Sequence, residues 1–195
     1  MGDMGLAPVP DWMFPPEGGF EAADLDRLPE LPSHTELIDG SLVLRSPQAS
    51  FHSLVLDVLE VDMRRTLPAH LRVRREMTVT LGLRQRPEPD LIVIKASGET
   101  DPGQTTYAPD DVLLAAEVVS PESKVRDRKR KPVLYAEAGI KHFWLVENEQ
   151  SKPVLHTYLL DPVKGSYDRT GIHQGIVKLN LPYPIEIDFS EIDRL

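Results

Sequence analysis

Two short stretches decide the fold: EPDLIVIK at residues 88–95 and VLLAAEVVS at residues 112–120. Each contains an apolar run of strand length next to a Pro-containing or polar segment, as expected of a strand buried in a sheet. The two alanines of the second run leave a helix open as an alternative. Each run also carries a carboxylate where burial makes it costly. Asp90 opens the first strand behind Pro89, and Glu117 sits inside the second with apolar neighbours on both sides. A buried carboxylate without a partner loses its hydration or takes up a proton. A divalent cation shared by the two acids removes that cost, and hard oxygen ligands suit Mg2+ or Mn2+. The plainer readings are a turn or salt-bridge role for Asp90, and a salt bridge from Glu117 to a buried Arg or Lys.

The flanking sequence supplies the rest of a layered domain. HTELIDGSLVLRS (34–46) reads as a β-hairpin turning at Asp39-Gly40, because a type I′ turn needs positive φ at both central positions. Residues 49–66 form the strongest helix, with Phe51, Leu54, Val55, Val58 and Leu59 on one face and Pro68 as the stop. Strands are expected at 71–75, 77–81, 142–147, 153–160, 166–171 and 176–180, with a loop at 96–110. Two further helices are expected, at 21–28 and 127–138. Pro132 lies inside the second, which fits a first turn or a kink. This order predicts a mixed α/β (α+β) fold: one mixed sheet flanked by helices around one core. Residues 1–20, rich in Pro and Gly and carrying Trp12 and Phe14, are expected to form an irregular arm ahead of a single domain at 21–195.

Composition narrows the function. The 31 acidic and 22 basic side chains give a formal charge of -9, which argues against coating nucleic acid by bulk charge. Cysteine is absent, which excludes disulfide frameworks, thiolate metal sites and cysteine nucleophiles. The phosphate-binding glycine loops, the G-x-S-x-G elbow and H-E-x-x-H are all missing, and the six histidines lack metal-ligand spacing. No apolar stretch reaches the length of a membrane span and no targeting pattern stands out, so a cytoplasmic protein is expected.

Against that acidic background, Lys124, Arg126, Arg128, Lys129, Arg130 and Lys131 follow closely on Glu117. A phosphodiester near them gains attraction that the rest of the surface denies it. Most of the six are expected on a solvated helix face, with Lys124, Arg126, Arg128 and Lys129 placed to dock a nucleic-acid backbone. One turned inward would sit beside the two acids.

The ordered set ELIDG (36–40), EPD with its strand (88–94), EVVSPES (117–123), D-x-x-x-K (127–131), LYAEAGI (134–140) and HFWLVE (142–147) resembles the Uma-type family of restriction-endonuclease-like proteins. That family belongs to the PD-(D/E)XK nuclease superfamily, and the resemblance covers about residues 34–190. It implies a restriction-endonuclease-like fold and an Mg2+- or Mn2+-dependent endonuclease acting on DNA. By the same resemblance Asp90 and Glu117 are the metal-holding acids and Glu36 an outer ligand, with a hairpin role as its alternative. The chain departs from the motif at its lysine, since Val119 stands two residues after Glu117. The resemblance assigns the catalytic lysine to Lys131 on the next helix. Glu88 and His52 are expected to be structural, and Asp127 to cap the helix. A homodimer is expected through exposed edge strands. The competing functions are a catalytically silent relative that only binds, and a metal-dependent phosphoesterase acting on a small molecule.

Overall fold

The computed structural model describes residues 10–194. Residues 1–9 of the arm expected at 1–20 therefore lie outside the described residues. Residues 10–19 are irregular apart from one turn at Asp11–Met13, and Phe20 is buried with its N–H donated to the Gly40 carbonyl at 2.8 Å. The helix expected at 21–28 is a shorter 3-10 turn, Ala22–Asp26.

The hairpin forms as β1 (Thr35–Ile38) and β2 (Ser41–Leu44). Its turn residues both take the left-handed conformation, with φ of 54° at Asp39 and 74° at Gly40. Helix α1 (Ser50–Arg65) follows, then β3 (Leu71–Arg75) and a two-residue strand β4 (Thr78–Val79). The strand β5 (Leu91–Lys95) and the short β6 (Thr106–Tyr107) precede β7 (Val112–Val118), so the alanine-containing run is a strand. A π-turn at Arg126–Arg130 leads into α2 (Lys131–Glu137), which ends at Gly139 with φ of 79°. The chain then runs through β8 (His142–Glu149), β9 (Lys152–Asp161), β10 (Ser166–His173), β11 (Ile176–Leu179) and β12 (Ile185–Asp188).

Six strands make the main sheet in the order β10-β9-β8-β7-β5-β3. Only β7 and β8 run parallel, joined by the crossover that contains α2; the other neighbours are antiparallel. The period of two along each strand divides the core. Leu91 and Val93 of β5, with Leu114, Ala116 and Val118 of β7, face α1 and its Val55, Leu56, Leu59 and Met63. Ile92, Ile94 and Ala115 face the other way, toward Tyr135 of α2 and Phe143 of β8. Each of the Val, Leu, Ile, Met and Phe side chains among them contributes about 1.5–3 kcal/mol on burial, which fixes the register. The buried face of α1 is rotated toward His52, Leu56 and Met63, while Leu54 is only half-buried. That rotation carries His52 onto the core side at the sheet rim.

Pro132 explains the π-turn. A proline lacks an N–H and its ring crowds the carbonyl four residues back. Here the turn ahead of it widens, and the Lys131 N–H reaches back to the Arg126 carbonyl. The first turn of α2 then accepts the ring without loss.

Candidate active site

The β5–β7 register builds the site. Leu91 pairs with Ala116 and Ile92 with Ala115, so one more step sets Asp90 opposite Glu117 at the sheet rim. Asp90 Oδ2 accepts the Val118 N–H at 2.7 Å, closing the rim between the strands. Glu117 shares its face of β7 with Ala115 and points toward α2. The hairpin brings in Glu36: Leu37 and Arg86 exchange backbone hydrogen bonds, and Glu36 Oε1 accepts the Glu88 N–H at 2.9 Å.

Lys131 enters from above at the start of α2. Its ammonium lies 2.7 Å from Glu36 Oε1, 3.0 Å from Glu117 Oε2 and 3.5 Å from Asp127 Oδ1. Tyr135 donates its hydroxyl to Glu117 Oε1 at 2.5 Å. On the other side of the rim, Arg45 pairs with Asp90 Oδ1 and lies 3.4 Å from Glu88. His52 Nε2 is 3.1 Å from Asp90 Oδ2, without the alignment of a hydrogen bond. Glu36, Asp90, Glu117, Asp127 and Lys131 are all at most 2% exposed.

The geometry thus gathers Glu117, Glu36 and Lys131 into direct contact and places Asp90 next to them under Arg45. Asp90, Glu117 and Glu36 do not meet as a set of ligand atoms within 4.8 Å; among the described residues that spacing belongs to Glu147, Glu149 and His156 on β8 and β9. Of the four residues expected to dock a backbone, Lys124 and Lys129 are exposed, while Arg126 pairs with Glu122 and Arg128 with Glu147. Asp127 is not a helix cap. The π-turn turns its carboxylate inward to Lys131, and its Oδ1 is buried without a hydrogen-bond partner. Arg45, Tyr135 and Asp127 were not expected at the site. Only the four-residue spacing of Asp127 and Lys131 hinted at a shared face.

Charge decides what this arrangement can do. Five buried carboxylates (Glu36, Glu88, Asp90, Glu117 and Asp127) face two permanent cations, Arg45 and Lys131. Burial pushes Glu117 well above the usual carboxylate range, against the pull of Lys131 and with help from Asp127, Asp90 and Glu36. Burial raises Asp127 and Glu88 as well. Burial also works against ionisation of Asp90, but His52 and Arg45 outweigh it and hold its pKa low. Lys131 pays the same desolvation, yet the surrounding Glu117, Glu36, Asp127 and Asp90 carboxylates hold it charged far above its ordinary range. Burial and the excess of acid over cation together therefore push Glu117, Asp127 and Glu88 upward in the metal-free protein. Hard carboxylate oxygens in such excess, one of them buried without a hydrogen bond, suit a divalent ion in kind.

Glu117→Gln tests this balance. The raised Glu117 pKa means that the folded state keeps a proton that the unfolded chain gives up. Its contribution therefore makes the metal-free protein less stable as pH rises from the ordinary carboxylate range through the raised value. Glutamine removes that slope, so denaturation at pH 8 is expected to show the variant about 1 kcal/mol or more above the parent. A large loss of stability instead would make Glu117 a structural anchor for Lys131.

Comparison with known proteins agrees with the architecture. Residues 22–192 match the Uma2 family model, described as "Putative restriction endonuclease". A solved structure from Anabaena variabilis, described as "a putative nuclease belonging to DUF820", superposes with a TM-score of 0.62 at 18% identity. The match covers 90% of this chain and 93% of that one, and it shows a shared mixed α/β fold. No functionally curated protein matches the chain.

Proposed function

The chain belongs to the Uma2 family, and on that premise we propose that it is an endonuclease hydrolysing nucleic-acid phosphodiester bonds, those of DNA first. The observation that carries this reading is the buried excess of carboxylates around Lys131 at the sheet rim. Asp90, Glu117 and Glu36 would hold an Mg2+ or Mn2+ ion, with Asp127 as a further oxygen, after drawing closer than the spacing they keep around Lys131 in the metal-free protein. When bound, such an ion lowers the pKa of a water and polarises a phosphate oxygen.

The protein's own groups do the rest. Tyr135 fixes the Glu117 carboxylate through Oε1 and leaves Oε2 facing Lys131. The Lys131 ammonium is pre-oriented by three acids, so it can hold an attacking water or offset negative charge building on the phosphate without reorganising. Arg45 covers Asp90, and its release exposes both a ligand oxygen and a guanidinium suited to phosphate. Exposed Lys124 and Lys129 supply the outer contact to the backbone.

The test is incubation of the purified protein with plasmid, single-stranded DNA and RNA, with Mn2+ or with EDTA. Metal-dependent cleavage of a polymer is the expected outcome. If no polymer is cut and Mn2+ leaves the melting temperature unchanged, the silent relative takes over, since Arg45, Lys131 and the raised pKa values of Glu117, Asp127 and Glu88 then balance the cluster without an ion. Hydrolysis of a nucleotide analogue without cleavage of polymers would establish the small-molecule phosphoesterase.

A further inference from the structure

Behind the acid cluster, α2 and the β9–β10 hairpin leave a cavity of about 400 Å3 over the sheet. Its floor and far wall are aromatic: Phe143 lies 5.6 Å from the ring of Tyr158 and 5.5 Å from that of Tyr167. Val133 lines the helix side and is 44% exposed. The mouth carries charge. Lys129 is exposed there with no carboxylate pairing it among the described residues, Arg128 is tied to Glu147, and Glu137 offers an exposed carboxylate.

We propose that this cavity takes one unpaired base of a nucleic-acid strand. The inference rests on the nucleic-acid reading above and adds how the strand is held. An aromatic-walled space of this volume suits a flat heterocycle, and a cation at its mouth suits the phosphate attached to that base. A paired base is sterically withheld by its duplex, so the base must come from a single strand or be turned out of the helix. The Glu137 carboxylate gives the mouth an acceptor for a base amino group. The cavity is also coupled to the cluster. The Tyr135 ring lies 5.9 Å from Phe143, while its hydroxyl holds Glu117. One aromatic layer therefore separates the base site from the acids, and Lys129 and Lys131 project from the same helical segment to opposite sides of it.

The experiment measures binding in EDTA, so it needs no hydrolysis. A labelled single strand of about a dozen nucleotides is titrated by fluorescence anisotropy beside the duplex of the same sequence. The single strand is expected to bind at least roughly tenfold tighter. Val133→Glu, which places a charge at the rim, and Tyr158→Leu, which keeps an apolar side chain but removes the stacking face, are each expected to weaken single-strand binding about tenfold. Val133 is exposed, so its variant should melt with the parent and covers the case in which Tyr158→Leu is unstable. Photo-cross-linking of a halogenated base should mark Tyr158 or Tyr167. Equal affinity for single strand and duplex, or single-strand binding unchanged by Val133→Glu, overturns the proposal. Loss of binding on Lys129→Ala alone, with Val133→Glu silent, also overturns it, because charge then suffices. If this pattern holds while Mn2+ produces no cleavage, the base site stands and the hydrolytic reading falls. If Mn2+ produces cleavage without this pattern, hydrolysis stands and the base site falls.

Discussion

Replacing Lys131 by methionine is expected to cost the metal-free protein about 3–5 kcal/mol, a drop of about 10 °C in melting temperature for a chain of this size. Methionine fills much of the same volume, so the loss is electrostatic rather than a cavity. The ammonium is the common partner of Glu36, Glu117 and Asp127, all buried, and removing it leaves three carboxylates facing one another. The pH dependence has a definite sign. Lys131 has its pKa raised, so its own contribution is complete at every pH below the ordinary lysine range and is lost only as pH rises through the raised value. The parent therefore draws on it unchanged between pH 5 and 8. In the variant, Glu117 and Asp127, already pushed up by burial, bind protons more tightly still. The deficit should shrink toward pH 5 and be largest near pH 8. Mn2+ separates the two roles proposed for the pocket. If its oxygens hold a cation, millimolar Mn2+ should raise the melting temperature of the variant more than that of the parent, because the ion replaces the missing charge. Cleavage should still be absent. A variant as stable as the parent at pH 8 would contradict the buried contacts of Lys131, and a variant untouched by Mn2+ would remove the case for a metal there.

How much of this is legible in the sequence follows from the kind of signal each residue carries. The strands around Asp90 and Glu117 announce themselves because a run such as LIVIK has few other uses, and the acids stand out against it. The Asp39-Gly40 turn is legible because few residue pairs accept positive φ twice. Lys131 is reached only through a family pattern, since nothing local separates it from the neighbouring lysines and arginines. Its inward direction depends on the π-turn that Pro132 imposes, and that same turn brings Asp127 to the cluster when its spacing suggests a cap. Arg45 carries no local signal. It stands between a hairpin and a helix, ahead of Ser46-Pro47, where an arginine normally reaches solvent; only closure of the hairpin over the rim brings it to Asp90. His52 belongs to a helical face read from apolar spacing alone, and rotation of α1 turns that face toward it. Strand β12 was not expected, because its four residues lie between Pro184 and a polar end. Pairing with β11 and packing of Ile185 and Ile187 on the α1 side stabilise it, and both act over long range.

Asp90→Asn should lower metal-dependent cleavage by at least about 100-fold, since even outer partners of metal ligands are worth 10–100-fold. Activity loss alone would not separate a ligand from a structural anion, because Asp90 also holds the Arg45 guanidinium and the Val118 N–H. Asparagine keeps an oxygen for that N–H but removes the charge. Arg45 is then left nearly buried with Glu88 at 3.4 Å as its remaining acid, which should cost about 3 kcal/mol or more. The double variant resolves the ambiguity. Adding Arg45→Met removes the stranded cation, so Asp90→Asn/Arg45→Met should recover most of the stability lost in Asp90→Asn. It should recover none of the cleavage if Asp90 holds the ion. Acid unfolding supplies an independent check. Because the Asp90 pKa is held low, its stabilising contribution is present above the ordinary carboxylate range and is lost as pH falls through the lowered value. The double variant should lack that component of acid unfolding. A double variant that melts like the parent and still cuts DNA with Mn2+ would show that Asp90 serves only to hold Arg45, and the ion would have to be held by Glu36, Glu117 and Asp127 without it.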